Sequence, residues 1–276
     1  MDDSIVNART KFPMRENKLR KVLDEKHVTV GAFMDFPSAD LVEFTAWVGF
    51  DWILIDAEHV GISVETCYNL VRAADAAGIA SIVRVPDISA ETILAYADSG
   101  VGGVIGPHVR NAADARALVA ALRYAPLGIR GASAGSRAAN FGVTQSPRDY
   151  FGAVDTHPVA MALLEDVEAY DDDLEAIGKV EGLDVFCLGK MDLSTSAGVP
   201  GDLGHEAVQA RLRKAADVAG RHGKILNEAV GDKASVERAI KLGSRMLMGS
   251  VQSLLGQAGQ SFIEMVSDVA DKSAAR

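Results

Sequence analysis

The stretch DWILIDAEH (51–59) decides the fold. Its apolar residues, Trp52 to Ile55, are consecutive and do not alternate with polar ones. A strand of that pattern is buried on both faces, as in a parallel sheet covered by helices. The run stops at Asp56, Glu58 and His59, which puts three ionisable groups at one strand end. Seven further runs have the same form: VTVGAFM (28–34), ASIVRVP (80–86), GGVIGPHV (102–109), VAMALLED (159–166), DVFCLGKMD (184–192), KILNEAV (224–230) and SRMLMGSV (244–251). Each is aliphatic or β-branched, of strand length, and bounded by Gly, Pro or Asp.

Between these runs lie segments with helical spacing. SADLVEFTAWVG (38–49) opens on a Ser suited to an N-cap and closes on Gly49; SVETCYNLVRAADAAG (63–78) closes on Gly78. SAETILAYADSG (89–100), NAADARALVAALRYAP (111–126), AYDDDLEAIGKVEG (169–182), HEAVQARLRKAADVAGRHG (205–223) and DKASVERAIKLG (232–243) follow the same logic. Eight strands with intervening helices predict a single (β/α)8 TIM barrel over residues 1–276. The rival, a doubly wound open sheet, would carry a phosphate-binding glycine turn after its first strand, and GAFMDFPS is not that turn. RENKLRKVLDEK (15–26) reads as an extra N-terminal helix suited to covering the barrel bottom, and about 1–14 and 268–276 are expected to be flexible ends.

The 276 residues suffice for one large α/β domain, and 48% apolar with 24% charged is an ordinary globular mix. A net charge of −10 repels phosphate backbones and anionic lipid, which argues against nucleic acid and membrane as partners. No apolar run reaches the ~18 residues that span a bilayer, and the first residues lack a secretory h-region. Two cysteines, Cys67 and Cys187, give no disulfide framework. These features predict a cytoplasmic protein.

In such a barrel the active site forms at the C-terminal strand ends. Those ends carry Asp56, Glu58 and His59; Arg84; His108; Glu165 and Asp166; Lys190 and Asp192; and Asn227 and Glu228. Glu165 and Asp192 close neighbouring strands, and two hard oxygen donors with room for water suit Mg2+ or Mn2+. Each could instead cap a helix or pair with a base. An imidazole suits proton transfer near neutrality, so His59 is a candidate base, or is simply a hydrogen-bonded strand-end histidine. Arg84 could hold a carboxylate or an enolate oxygen, or form a structural ion pair. The long loop around PLGIRG (126–131) and ASAGSRAANFG (132–142) is read as lying over the barrel mouth, with Arg130 and Arg137 facing an anionic substrate or a neighbouring subunit. Asp171, Asp172 and Asp173 read as a solvated helix start.

Taken together, LIDAEH (54–59), VRVP (83–86), YAPLGIRG (124–131), LLED (163–166) and GKMDLS (189–194) resemble the HpcH/HpaI aldolase family, over roughly residues 28 to 255. The resemblance implies a class II aldolase that cleaves or forms 4-hydroxy-2-keto acids from a pyruvate-type enolate and an aldehyde, with a divalent ion (Mg2+, Mn2+ or Co2+). It implies His59 as catalytic base with Asp56 as partner, Arg84 as enolate stabiliser, and Asp98 as the acid that tunes the histidine. It further implies Glu165 and Asp192 as metal ligands and Glu58 as an acid near metal-bound water. The backbone around Gly189, Met191 and Asp192 would receive the substrate carboxylate. A homo-oligomer, a hexamer by resemblance, is expected, and the apolar tail SLLGQAGQSFIEMV (253–266) could pack on a neighbour.

The sequence departs from the pattern at Leu163, where relatives often have Gln, and at Lys190, where they often have Pro. Lys190 raises an alternative, a metal-free aldolase working through a Schiff base on that lysine. Other readings are a non-catalytic keto-acid-binding barrel and a lyase acting on CoA thioesters or forming its enolate by decarboxylation.

Overall fold

The computed structural model describes residues 15–153 and 157–274. Eight parallel strands close into a barrel in sequence order: β1 (Thr29–Met34), β2 (Trp52–Asp56), β3 (Ala80–Arg84), β4 (Gly103–Gly106), β5 (Val159–Leu164), β6 (Val185–Leu188), β7 (Ile225–Ala229) and β8 (Met246–Ser250). The helices in chain order are α1 (Lys18–Glu25), α2 (Ala39–Val48), α3 (Val64–Ala77), α4 (Ala90–Ala97), α5 (Ala112–Leu122), α6 (Pro147–Gly152), α7 (Val167–Asp171), α8 (Leu174–Gly178), α9 (Lys190–Ser196), α10 (Glu206–His222), α11 (Lys233–Leu242) and α12 (Val251–Ala274). The expected (β/α)8 architecture is present, and every predicted strand forms.

The caps read from the sequence do their work. Ser38 and Ser63 each accept a backbone N–H of the first helical turn, while Gly49 and Gly78 end their helices with φ of 107° and 81°. Such glycines take the left-handed conformation without a Cβ penalty. Residues 169–182 differ from the single helix expected. They break into α7 and α8 at Asp172 and Asp173, where Asp173 turns away to accept the Ala112 N–H at 2.6 Å.

Two apolar layers hold the barrel. The larger lies between strands and helices, with Ile53, Ile55, Val83, Leu118, Phe186 and Leu212 in it. The smaller fills the barrel interior with Trp52, Leu54, Ile82, Ile105, Met161, Leu163 and Met246. The expected N-terminal helix is α1, and its Leu19 and Leu23 join the interior layer. Asn17 caps α1 and bonds the Gly102 carbonyl at 2.9 Å, just ahead of β4. Arg20 reaches Asp184, just ahead of β6. Helix α1 therefore closes the barrel at the N-terminal ends of the strands, leaving the opposite end for the site. A Cβ on Gly103 would lie 2.7 Å from Leu19 Cδ2, so a larger residue at this strand start would require the plug's leucine to shift.

Residues 1–14, expected to be flexible, lie outside the described residues, and 268–274 continue α12 as helix. Both cysteines are free and buried. Among the described residues, no helix is long and apolar enough to cross a membrane.

Candidate active site

The strand register brings the ends of β2 and β3 side by side, with Asp56 opposite Arg84. Asp56 is fully buried, and Arg84 donates to both of its oxygens, Nε and Nη2 each at 2.9 Å. This bidentate pair fixes the guanidinium plane. Burial works against the Arg84 charge, but the bonds to Asp56 overcome it and raise the pKa further. Phe33 of β1 stacks beneath, 5.6 Å from ring centroid to guanidinium carbon. Asp56 Oδ1 also accepts the Glu58 and His59 N–H groups at 3.1 and 3.4 Å, folding the chain back over the barrel rim. Asp56 thus serves Arg84 and the turn. The carboxylate beside the His59 imidazole is Glu58, with Oε2 at 3.7 Å from Nε2, and the imidazole stands largely in solvent.

Across the mouth, β5 ends in buried Glu165. Its Oε1 accepts the His108 N–H at 2.8 Å. His108 holds φ of 49°, a conformation that non-glycine residues seldom adopt, and its Nδ1 lies 3.0 Å from Asp166 Oδ2. Burial disfavours the His108 charge, but the Asp166 bond and the charges of Glu165, Asp166 and Glu58 raise its pKa overall. Burial pushes the Glu165 carboxyl up to about 7; the His108 bond and charge oppose this, and the Glu58 and Asp192 carboxylates add to it.

The chain ahead of Asp192 is not a strand end, as expected, but the first turn of α9. Gly189 is its N-cap, without a side-chain cap bond, and the Gly189 N–H bonds the Leu164 carbonyl at 3.0 Å. The first N–H groups of a helix have no partner within it, so those of Lys190, Met191 and Asp192 are available to a ligand. Gly189, Met191, Asp192, Glu165 and Arg84 all line one cavity of about 450 Å³, whose lower wall is apolar with Leu54, Ile105, Leu163, Cys187 and Met248. Lys190 reaches this cavity but is buried and committed: its Nζ lies 3.1 Å from Glu228 Oε2 and 2.8 Å from the Ala229 carbonyl.

A divalent cation suits this donor set. Buried Glu165 feels the negative charges of Glu58 and Asp192, and Asp192 lines the same cavity from the exposed first turn of α9. Glu58 Oε2 is buried without a hydrogen bond, although Arg84 Nε is 3.1 Å away. Ligand atoms of Glu58, His108 and Glu165 lie within 4.8 Å of one another. This trio shares Glu165 with the Glu165–Asp192 pair read from the sequence, but has Glu58 and His108 in place of Asp192.

Asp98 is not in this site. It follows α4 and precedes β4, which puts it at the opposite, N-terminal end of the barrel. There Arg130, itself buried, donates to its Oδ1 at 2.7 Å and stacks 4.8 Å from the Tyr124 ring centroid. Within the chain Asp98 is therefore apart from His59, the residue it was expected to tune. The same holds for the loop 123–146. It joins α5 to the following elements at the barrel bottom, where Arg137 bonds the Ser99 carbonyl at 2.6 Å and pairs with Asp75. Neither Arg130 nor Arg137 faces the cavity.

The HpcH/HpaI aldolase/citrate lyase family model matches residues 29–255. The chain is 32% identical to a pyruvate aldolase of Rhizobium etli, covering 83% of this chain and 88% of the relative. It is 31% identical to a hydroxypyruvate/pyruvate aldolase of Cupriavidus necator, covering 94% and 98%. A solved HpcH/HpaI aldolase/citrate lyase family structure from Burkholderia cenocepacia superposes with a TM-score of 0.84 at 26% identity, covering 91% and 99%. The relatives that resemble it along nearly their whole length are carbon–carbon lyases, and this chain belongs to the HpcH/HpaI aldolase/citrate lyase family.

Proposed function

We propose that the protein is a divalent-metal-dependent aldolase acting on 4-hydroxy-2-keto acids through a pyruvate-type enolate. The observation that carries this is the opposition, in one cavity, of the Asp56-locked Arg84 and the buried acid Glu165. A fixed cation and an anion-rich pocket suit a reaction in which charge develops on a keto oxygen.

Glu165 and Asp192 would hold the ion, with Glu58 and His108 close to Glu165. When bound, a divalent ion supplies Lewis-acid stabilisation of that developing charge. The first-turn N–H groups at Met191 and Asp192 receive the substrate carboxylate. His59 takes the proton of the C4 hydroxyl, the C4–O bond becomes a carbonyl, and the C3–C4 bond breaks. The released electron pair enters the C2–C3 bond, so charge collects on the C2 oxygen, which Arg84 faces. A proton returned to C3 completes pyruvate, and the aldehyde departs. The Schiff-base reading is disfavoured because such a lysine must be neutral to attack. The Lys190 Nζ is instead taken up by the buried Glu228 carboxylate and the Ala229 carbonyl.

We read the whole chain as one barrel domain of a homo-oligomer, hexameric by resemblance, in the cytoplasm. Support for self-association is α12, whose Leu254, Leu255, Phe262, Ile263, Met265, Val266 and Val269 are all exposed. The test is pyruvate release from a panel of 4-hydroxy-2-keto acids with Mg2+, Mn2+ or Co2+ and with excess EDTA. Metal-restored release is expected; full activity in EDTA would remove the ion from the reaction, and no release from any member would remove the aldolase reading.

A further inference from the structure

Helix α9 carries much of the proposed site; its later residues Leu193 and Ser194 are buried, while its first turn stands at the cavity. It has seven residues, and its glycine N-cap contributes no side-chain bond. Among the described residues, the Asp192 carboxylate accepts no hydrogen bond, and Met191 is 59% exposed. Among the described residues, the first turn is tied to the barrel by the Gly189 N–H to Leu164 carbonyl bond, by the Lys190 side chain and by buried Leu193.

The Lys190 ammonium is held at two points on β7, the Glu228 carboxylate and the Ala229 carbonyl. Glu228 is 2% exposed, and its other oxygen accepts the buried Ser244 hydroxyl. Ser244 lies between α11 and β8, so the chain of contacts runs from the first turn of α9 through β7 to the start of β8. A buried lysine and glutamate are costly to desolvate, and such a pair is often no more stabilising than apolar residues of the same size. Stability alone is therefore a poor account of its presence beside Asp192.

We propose that Lys190 is a positioning residue: by bridging α9 to Glu228 and Ala229 on β7, it sets the Asp192 carboxylate and the first-turn N–H groups against Glu165. The proposal rests on the reading of Glu165 and Asp192 as metal ligands for its consequence on metal affinity, but the restraint on α9 is a separate, measurable property. Lys190 acts through the helix, without bonding to the reacting atoms.

The test compares the wild type with Lys190→Met, Lys190→Arg and the double variant Lys190→Met/Glu228→Leu. The single Lys190→Met leaves a buried carboxylate unpaired and is expected to lower stability; the double variant removes both charges and restores it. Amide hydrogen exchange over residues 189–196 and Mn2+ binding, followed by the electron paramagnetic resonance of free Mn2+, are the two readouts. In the folded double variant, exchange across 189–196 speeds up and Mn2+ binding weakens ~10–100-fold, the usual cost of losing a group that orients a ligand. Lys190→Arg recovers part of both. A double variant with wild-type exchange and wild-type Mn2+ affinity overturns the proposal. Failure of the metal reading looks different: wild type and Glu165→Ala then bind Mn2+ equally poorly, while the exchange comparison alone decides whether Lys190 restrains α9.

Discussion

Gly189 and Glu165 pack so closely that a Cβ on Gly189 would lie 2.6 Å from the Glu165 Cβ and 3.1 Å from its Oε2. The absent side chain lets the end of β6 close against the buried acid. Gly189→Ala must displace Glu165 or the first turn of α9. The expected result is a folded protein destabilised by ~1–3 kcal/mol, as for an overpacked core, with Mn2+ affinity reduced more than stability would suggest. Thermal melting and Mn2+ titration of the same preparation check this; unchanged Mn2+ affinity would show that Glu165 is not a ligand held by this contact.

Arg84 owes its orientation to two bonds from one carboxylate. Lysine keeps the charge and loses the planar fork. Arg84→Lys should lower kcat for cleavage ~10²–10³-fold, the scale for removing one oriented charge-stabilising donor, with a smaller change in KM. A variant within threefold of wild-type kcat would sink the role.

His59 stands at the rim with its imidazole largely exposed. Its replacement should leave the fold and Mn2+ binding intact. His59→Ala is expected to slow cleavage ~10²–10⁴-fold, the usual contribution of a general base. Exchange of the pyruvate C3 protons into deuterated water should slow as well. Near wild-type rates in both assays would give the proton transfer to another group.

The metal-free protein should lose stability as pH rises toward neutrality. Burial raises the Glu165 pKa from 4.5 to about 7, so the folded state holds a proton that the unfolded chain has released. The stabilisation is complete below the unfolded value near 4.5 and is lost as pH rises through about 7. The slope between those values is on the order of 1 kcal/mol per pH unit. Melting curves of EDTA-treated protein should fall from about pH 5 to about pH 7.5. Glu165→Gln should flatten that decline, and saturating Mg2+ should reduce it. A wild type and a Glu165→Gln variant that decline in parallel would exclude Glu165 as the cause.

Helix α12 exposes seven large apolar side chains along its length. Removal of residues 254–276 should convert an oligomer to smaller species by light scattering at micromolar concentration. A full-length protein that is already monomeric there would end the self-association reading.

The barrel was legible because strands buried on both faces leave uninterrupted apolar runs, as in DWILIDAEH, and because serine and glycine caps mark the helix ends. The convergence of Arg84, Glu165 and Asp192 followed from strand order. Side-chain pairing did not. Whether Asp56 serves His59 or Arg84 depends on cross-strand register, which sets Asp56 opposite Arg84 and is invisible in a linear motif. Asp98 and the loop with Arg130 and Arg137 lie away from the barrel mouth for a simpler reason. Both follow a helix and precede a strand, a connection that in this topology always lies at the bottom. The strained backbone of His108, which turns its N–H to Glu165, has no signature in GPHV.

The plug formed by Leu19 and Leu23 gives the cavity a floor and no rear exit. For the proposed reaction both products must pass through one opening. The keto acid would lie deepest, near Glu165 and the α9 turn, with the aldehyde between it and solvent. The aldehyde would then leave first in cleavage and the keto acid enter first in synthesis, an order that a helix at the far end of the barrel would impose.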